Sequence, residues 1–213
     1  MLSLLLNTSR KLAHQFTMKW HKLFLIAFLF LSILSGAATR YWVGGASTSW
    51  TNTANWGTSS GGGAPASVPG TSDIAVFDAG SGANCILSGS ITVSSLSLTS
   101  GFSRTFIQGN NIIYISGNSQ WAGGTFSGGA ANFTNTGTFN LSGTSFTSPS
   151  ASLVVSGTFS YTGGSFIHNN GTIRLSTNSF SVIGSPQFYN LGLIPYYNTI
   201  TCNIRFKGNM IFS

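Results

Sequence analysis

The feature that most constrains this chain is an echo at twenty residues. Compared with itself at that lag, the sequence yields a column Val93, Ile113, Phe133, Leu153, Ile173, Leu193 and another reading Ile86, Phe106, Phe126, Phe146, Phe166. Gly117, Gly137 and Gly157 fall in register, as do Gly123, Gly143 and Gly163, and a turn-like column runs Gly89, Gly109, Gly129, Pro149, Asn169. Apolar columns that stay apolar, while glycine columns stay turn-like, mark an array of one supersecondary unit. The longer echo between "WAGGTFSGG" at Trp121 and "YTGGSF" at Tyr161 is two of these units.

Within a unit, apolar residues alternate with small polar ones, as in "GTFNLSG" from Gly137 and "GTFSYTGG" from Gly157. Alternation at period two is a strand pattern, and Gly, Asn or Pro at the breaks divides each unit into three short strands. Phe, Thr, Ile and Val are too frequent, and Ala and Glu too scarce, for a helical repeat. The expectation is an all-β fold, a right-handed parallel β-helix (solenoid) of about 20 residues per coil. Coils lie about 4.8 Å apart, so each side chain stacks on its counterpart. An inward Phe column then becomes an aromatic ladder, whereas an outward column of charges would set like charges over one another. The composition agrees, with nine Lys or Arg and two acidic residues, both Asp, in 213 residues.

Four of the nine cations, Arg10, Lys11, Lys19 and Lys22, precede an apolar run from Leu23 to Leu34. Small residues follow, either Ser35-Gly36-Ala37 or Gly36-Ala37-Ala38, and complete a signal-peptide pattern over residues 1–38. A start at Met18 would serve equally, since the pattern needs nothing from residues 1–17. The run rises about 18 Å as a helix, short of the roughly 30 Å of a bilayer core, so no transmembrane span is expected in the mature chain. Beyond the leader remain Arg40, Arg104, Arg174, Arg205 and Lys207 against Asp73 and Asp78. Five scattered cations make no phosphate-binding stripe, and nucleic acid is excluded as a partner.

Residues 39–83 do not follow the period. They carry Trp42, Trp50 and Trp56, a Gly/Ser/Pro-rich loop and a short apolar strand from Ile74 to Phe77. A solenoid needs its first edge covered, so this segment is read as an N-terminal cap, with β-helix coils over 84–213. Cys85 and Cys202 would lie nearly six coils apart, roughly 28 Å along the axis, far beyond disulfide reach. Two free thiols are expected.

The "YWVGG…W…ANW" opening, the "P…D.AVFD" segment and "FYNLGLI" from Phe188 resemble very large secreted bacterial surface proteins, adhesin-like and β-helical, often with a C-terminal sorting domain. The similarity covers roughly residues 39–213. It implies export and surface display or attachment, with surface glycans or other cell-surface proteins as partners, and transfers no catalytic residues. The chain departs from that pattern by ending at Ser213 in a strand-like run, so an N-terminal fragment of a longer protein is expected.

An enzyme reading fares poorly on the residues. Glycoside hydrolysis uses two carboxylates flanking the scissile bond. Asp73 and Asp78 fall on opposite faces of a regular strand, and two Asp cannot fill the six to eight oxygen positions of a calcium site. His168, the one histidine beyond the leader region, sits beside a predicted Asn170-Gly171 turn without a nucleophile elbow. No cofactor or metal-ligand spacing is present. The hydroxyl column Thr105, Thr125, Ser145, Ser165, Ser185 reads as a solvated ladder. The expectation is a secreted or cell-surface structural or adhesive protein without catalytic activity. The alternative is a carbohydrate-binding or, further off, polysaccharide-degrading β-helix, with Trp42, Trp50, Trp56 and Trp121 as stacking platforms.

Overall fold

The structure, a computed structural model, describes residues 36–45, 47–176, 180–193, 205–206 and 210–212. The predicted leader up to Ser35 and Cys202 lie outside these residues. The unit that begins at Ala37 is an all-β parallel solenoid of about six turns and ~20 residues per turn, with one short 3-10 turn at Thr53–Asn55.

Three parallel faces build it. The first runs through Ile74–Phe77, Ser95–Leu98, Ser119–Trp121, Phe139–Leu141, Phe159–Tyr161 and Phe180–Val182. The second runs through Cys85–Ile86, Thr105–Ile107, Thr125–Ser127, Ser145–Thr147 and Ser165–Ile167. The third begins at Ile91–Val93 and continues through Ile113–Ile115, Phe133–Asn135, Ser152–Val155, Thr172–Leu175, Asn190–Leu193 and Met210–Phe212.

Burial alternates along the strands of the middle coils, so each of these coils sends two side chains inward from the first face, one from the second and two from the third. In one coil these are Phe139, Leu141, Phe146, Leu153 and Val155, all fully buried. The coil before it uses Ser119, Trp121, Phe126, Phe133 and Asn135. Here a large indole is offset by two small polar residues, and both polar groups bond locally. Ser119 Oγ accepts from Trp121 Nε1 at 2.9 Å, and Asn135 Nδ2 donates to Gly137 O at 2.6 Å. The Phe ladder of the second face is continuous, with ring centroids 5.7, 4.6 and 5.7 Å apart along Phe106, Phe126, Phe146 and Phe166.

The period of twenty holds through the middle of the stack and drifts at its ends. Phe106 pairs with Phe126, but on the other side with Cys85, so the inward column opens with Cys85 and Ile86 points out, 40% exposed. On the third face Ile113 pairs with Ile91, and Ile173 with Leu191, so Val93 and Leu193 belong to the neighbouring column with Ile115 and Leu175. The cause is corner length. Between Leu98 and Phe106 the corner carries a bulging "TSGFSR" whose Phe102 folds inward onto Phe77 at 5.3 Å. Trp50 stacks on Phe106 at 5.9 Å from the cap side. With those rings in place a small Cys85 fits where later coils hold Phe.

Glycines at two corners are required by closeness. A Cβ on Gly137 would lie 2.5 Å from the carbonyl of Gly117, one coil below, and Gly157 meets Gly137 in the same way. At the corner after Ile167 the left-handed residues are Asn169 and Asn170, φ 44° and 58°. The predicted Asn170-Gly171 turn is therefore centred one residue earlier, and Gly171 is needed because a Cβ there would strike the Pro149 carbonyl.

The cap is a further partial coil. Thr39–Trp42 pairs parallel with Ile74–Phe77, and Ser49 bridges parallel to Ile86 on the second face. Ile74–Phe77, placed with the cap from sequence, is itself paired parallel with Ser95–Leu98 and belongs to the stack. Beyond Thr39–Trp42 the first face ends in two antiparallel strands, Trp56–Ser59 and Gly62–Pro65. A short Gly-Gly-Ala-Pro edge with a bulge is a poor template for adding another strand.

Candidate functional site

All four indoles read from sequence as sugar platforms are core. Trp42, Trp50, Trp56 and Trp121 are 0–1% exposed. Trp56 packs edge-on against Trp42 at 5.2 Å and Trp50 at 4.6 Å, and Trp42 stacks on Phe77 at 5.8 Å. Two of the cap's ring N–H groups bond inside the protein: Trp42 Nε1 donates to Ala83 O at 2.9 Å and Trp56 Nε1 to Trp50 O at 2.8 Å. A lone cap must close an apolar lumen, and large rings do so at little polar cost where, as at Trp42 and Trp56, the ring N–H has an internal acceptor. No sugar can stack on these faces in this arrangement. This corrects the stacking role expected of them.

The titratable residues are separated. Asp73 and Asp78 bracket one strand, roughly 17 Å apart along the chain. Asp73 accepts from Gly70 N at 2.9 Å and Ala38 N at 3.1 Å, with Arg40 Nε 3.8 Å away. Asp78 caps its own turn, taking Gly80 N on Oδ1 at 2.8 Å. His168 lies against Tyr189 with ring centroids 5.4 Å apart, and its Nδ1 accepts Asn170 N at 3.0 Å, which fixes the corner. Among the described residues no group of three or more His, Cys, Asp or Glu could hold a metal ion. Cys85 carries a free, buried thiol, and that burial pushes its pKa well above the usual thiol range.

Two of the outward rows are neutral and polar, beside exposed apolar side chains such as Ile112 and Ile167. On the second face Thr105, Thr125, Ser145 and Ser165 pair in one row, and Ser165 Oγ donates to Ser145 Oγ at 3.1 Å. Ser185 lies outside any strand. On the first face a second row runs Ser97, Gln120, Asn140, Ser160, Ser181. At its start lies a shallow depression of about 390 Å³ whose lining includes Ile74 and Leu96 as well as Ser97, Asn118, Gln120 and Asn140. Gln120, Asn140 and Ser160 keep the spacing of twenty, and only the ends of the row drift, with Ser97 twenty-three residues before Gln120 and Ser181 twenty-one after Ser160. Asn118 also ties coils together, its Oδ1 accepting Thr138 N at 2.9 Å.

No helix among the described residues is long and apolar enough to cross a membrane. No protein-family profile, curated protein or solved structure matches the chain.

Proposed function

We propose that this protein is an exported, surface-displayed β-solenoid that works by contact, as an adhesive or structural rod, and not by catalysis. The carrying observation is the pair of neutral hydroxyl and amide rows that run coil after coil along the outside of the solenoid. Such rows repeat one weak hydrogen-bonding pattern many times, and a repeated surface gains from multivalent contact where a single site would be too weak. The leader-like N-terminus and the resemblance to large bacterial surface proteins support export.

Labelling of intact producing cells with an antibody to the chain, compared with permeabilised cells, tests the reading. Signal on intact cells, together with weaker attachment of cells lacking the protein, is expected. Signal that needs permeabilisation refutes it.

Carbohydrate binding is the second reading, and the depression on the first face favours it. The hydroxyls and amides among its lining, set beside Ile74 and Leu96, can exchange hydrogen bonds with sugar hydroxyls. A soluble-glycan titration by calorimetry that responds to Gln120→Ala and Asn140→Ala would support this reading over the first.

A further inference from the structure

Ala38 is where the chain enters the fold. Its N–H donates to Asp73 Oδ1 at 3.1 Å, and its carbonyl accepts from Ile74 N at 2.9 Å. Gly36 and Ala37 are exposed, and no described residue lies within 4 Å of where a Gly36 Cβ would be. Asp73, by contrast, is only 8% exposed. A buried carboxylate is costly unless it is both hydrogen-bonded and opposed by charge. Asp73 has two amide donors, from Ala38 and Gly70, but the charge facing it is offset. Arg40 Nε stands 3.8 Å from Oδ2 and makes no hydrogen bond.

We propose that Asp73 is the receptor for a new N-terminus created by cleavage between Ala37 and Ala38. The proposal rests on the export reading above. Hydrolysis of that amide by water leaves a carboxylate on Ala37 and an amine on Ala38, which takes up a proton near neutral pH. The nitrogen that already faces Asp73 Oδ1 changes from an amide donor to an ammonium without any movement of Thr39–Trp42. A charge-assisted hydrogen bond is roughly twice as strong as a neutral one. Cleavage one residue later would remove both Ala38 bonds and take a donor from a buried carboxylate. The small-residue pattern allows either position, and the geometry selects the first. The consequence is a lock that tightens once the leader is gone, at the junction of the cap strand Thr39–Trp42 with the start of the first coil.

Intact mass and N-terminal sequencing of the exported protein come first, followed by thermal unfolding before and after acetylation of its α-amine below pH 7. An acetyl group keeps an amide N–H on Ala38 and removes only the charge. The expected result is a start at Ala38 and an acetylation-induced fall in Tm of roughly 2–4 °C that is absent in Asp73→Asn. If Asp73→Asn does not fold, the pH dependence of the wild-type difference decides. The charged groups that face the ammonium are Asp73 and Arg40. Pairing with Asp73 raises the ammonium's folded-state pKa, so its stabilisation is complete below about pH 7.7 and is lost as pH rises through that folded value. The two melting curves then converge in alkali. An exported protein starting at Thr39 or later, or one starting at Ala38 with equal Tm free and acetylated, overturns the proposal and leaves export standing. A chain retained in the cell with its leader intact overturns export, and this proposal with it.

Discussion

Replacing Phe146 by Ala tests whether the lumen is packed as a solid. The ring is fully buried in the middle of the ladder. Phe126 stacks on it at 4.6 Å, Trp121 and Phe139 meet it edge-on at 5.1 and 5.3 Å, and Phe166 stacks at 5.7 Å. Truncation of a buried Phe costs about 3–5 kcal/mol, less where neighbours collapse into the space. Collapse is restricted here, because each neighbouring ring hangs from a strand whose coil is held about 4.8 Å from the next by its backbone ladder. The loss should therefore fall toward the upper end, a drop in Tm on the order of 10 °C for a unit of this size. Thr147→Ala, at the next residue and facing outward, should change stability by less than about 0.5 kcal/mol. Thermal and urea unfolding of the purified protein reads both. A Phe146→Ala loss below about 1 kcal/mol, or an equal loss from Thr147→Ala, would refute a closely packed lumen.

Gly137→Ala should cost several kcal/mol, since its methyl would meet the Gly117 carbonyl, whereas Gly89→Ala, with nothing within 4 Å, should be nearly neutral; equal melting of the two variants contradicts the close corner contact. Cys85 should resist a thiol reagent in the native protein and react on unfolding, as read by peptide mass mapping that separates it from Cys202. Because burial raises its folded-state pKa, its contribution to stability is whole below the unfolded thiol value of about 8.5 and is lost as pH climbs toward the folded value. Labelling of Cys85 within minutes in the native state would argue against the cap seal. Trp42, Trp50, Trp56 and Trp121 should be shielded from acrylamide quenching in a chain beginning at Ala38, which would lack Trp20, and soluble glycans should leave their emission unchanged. A glycan-induced shift would return the indoles to the surface.

Parallel stacking, the twenty-residue coil and the inward Phe of the second face were all legible in the residues, because stacking places each position over its counterpart and a one-dimensional lag captures that geometry. The strand Ile74–Phe77 was legible too, from its apolar run between Asp73 and Asp78. The lag failed where corners change length. The bulge around Phe102 moved Cys85 inward and Ile86 outward, and it separated Ser97 from Gln120 by more than one nominal period. The middle of the first face's outer row, Gln120, Asn140 and Ser160, keeps the lag of twenty, and only its ends at Ser97 and Ser181 fall out of it.

The role of the tryptophans was open at the level of sequence, since an indole near a chain end closes a core or meets a ligand with the same composition around it. Only the tertiary structure decided, by packing Trp50 and Trp56 together over Phe77 and Phe106 and giving the Trp42 and Trp56 ring N–H groups internal acceptors. The same holds for Asp73 and Ala38, thirty-five residues apart in the chain and one hydrogen bond apart in the fold. Repetition along the chain determined the coil, because each coil packs on a near copy of itself. The cap, the corners and the buried carboxylate meet partners unlike themselves, and no periodicity announces where those partners lie.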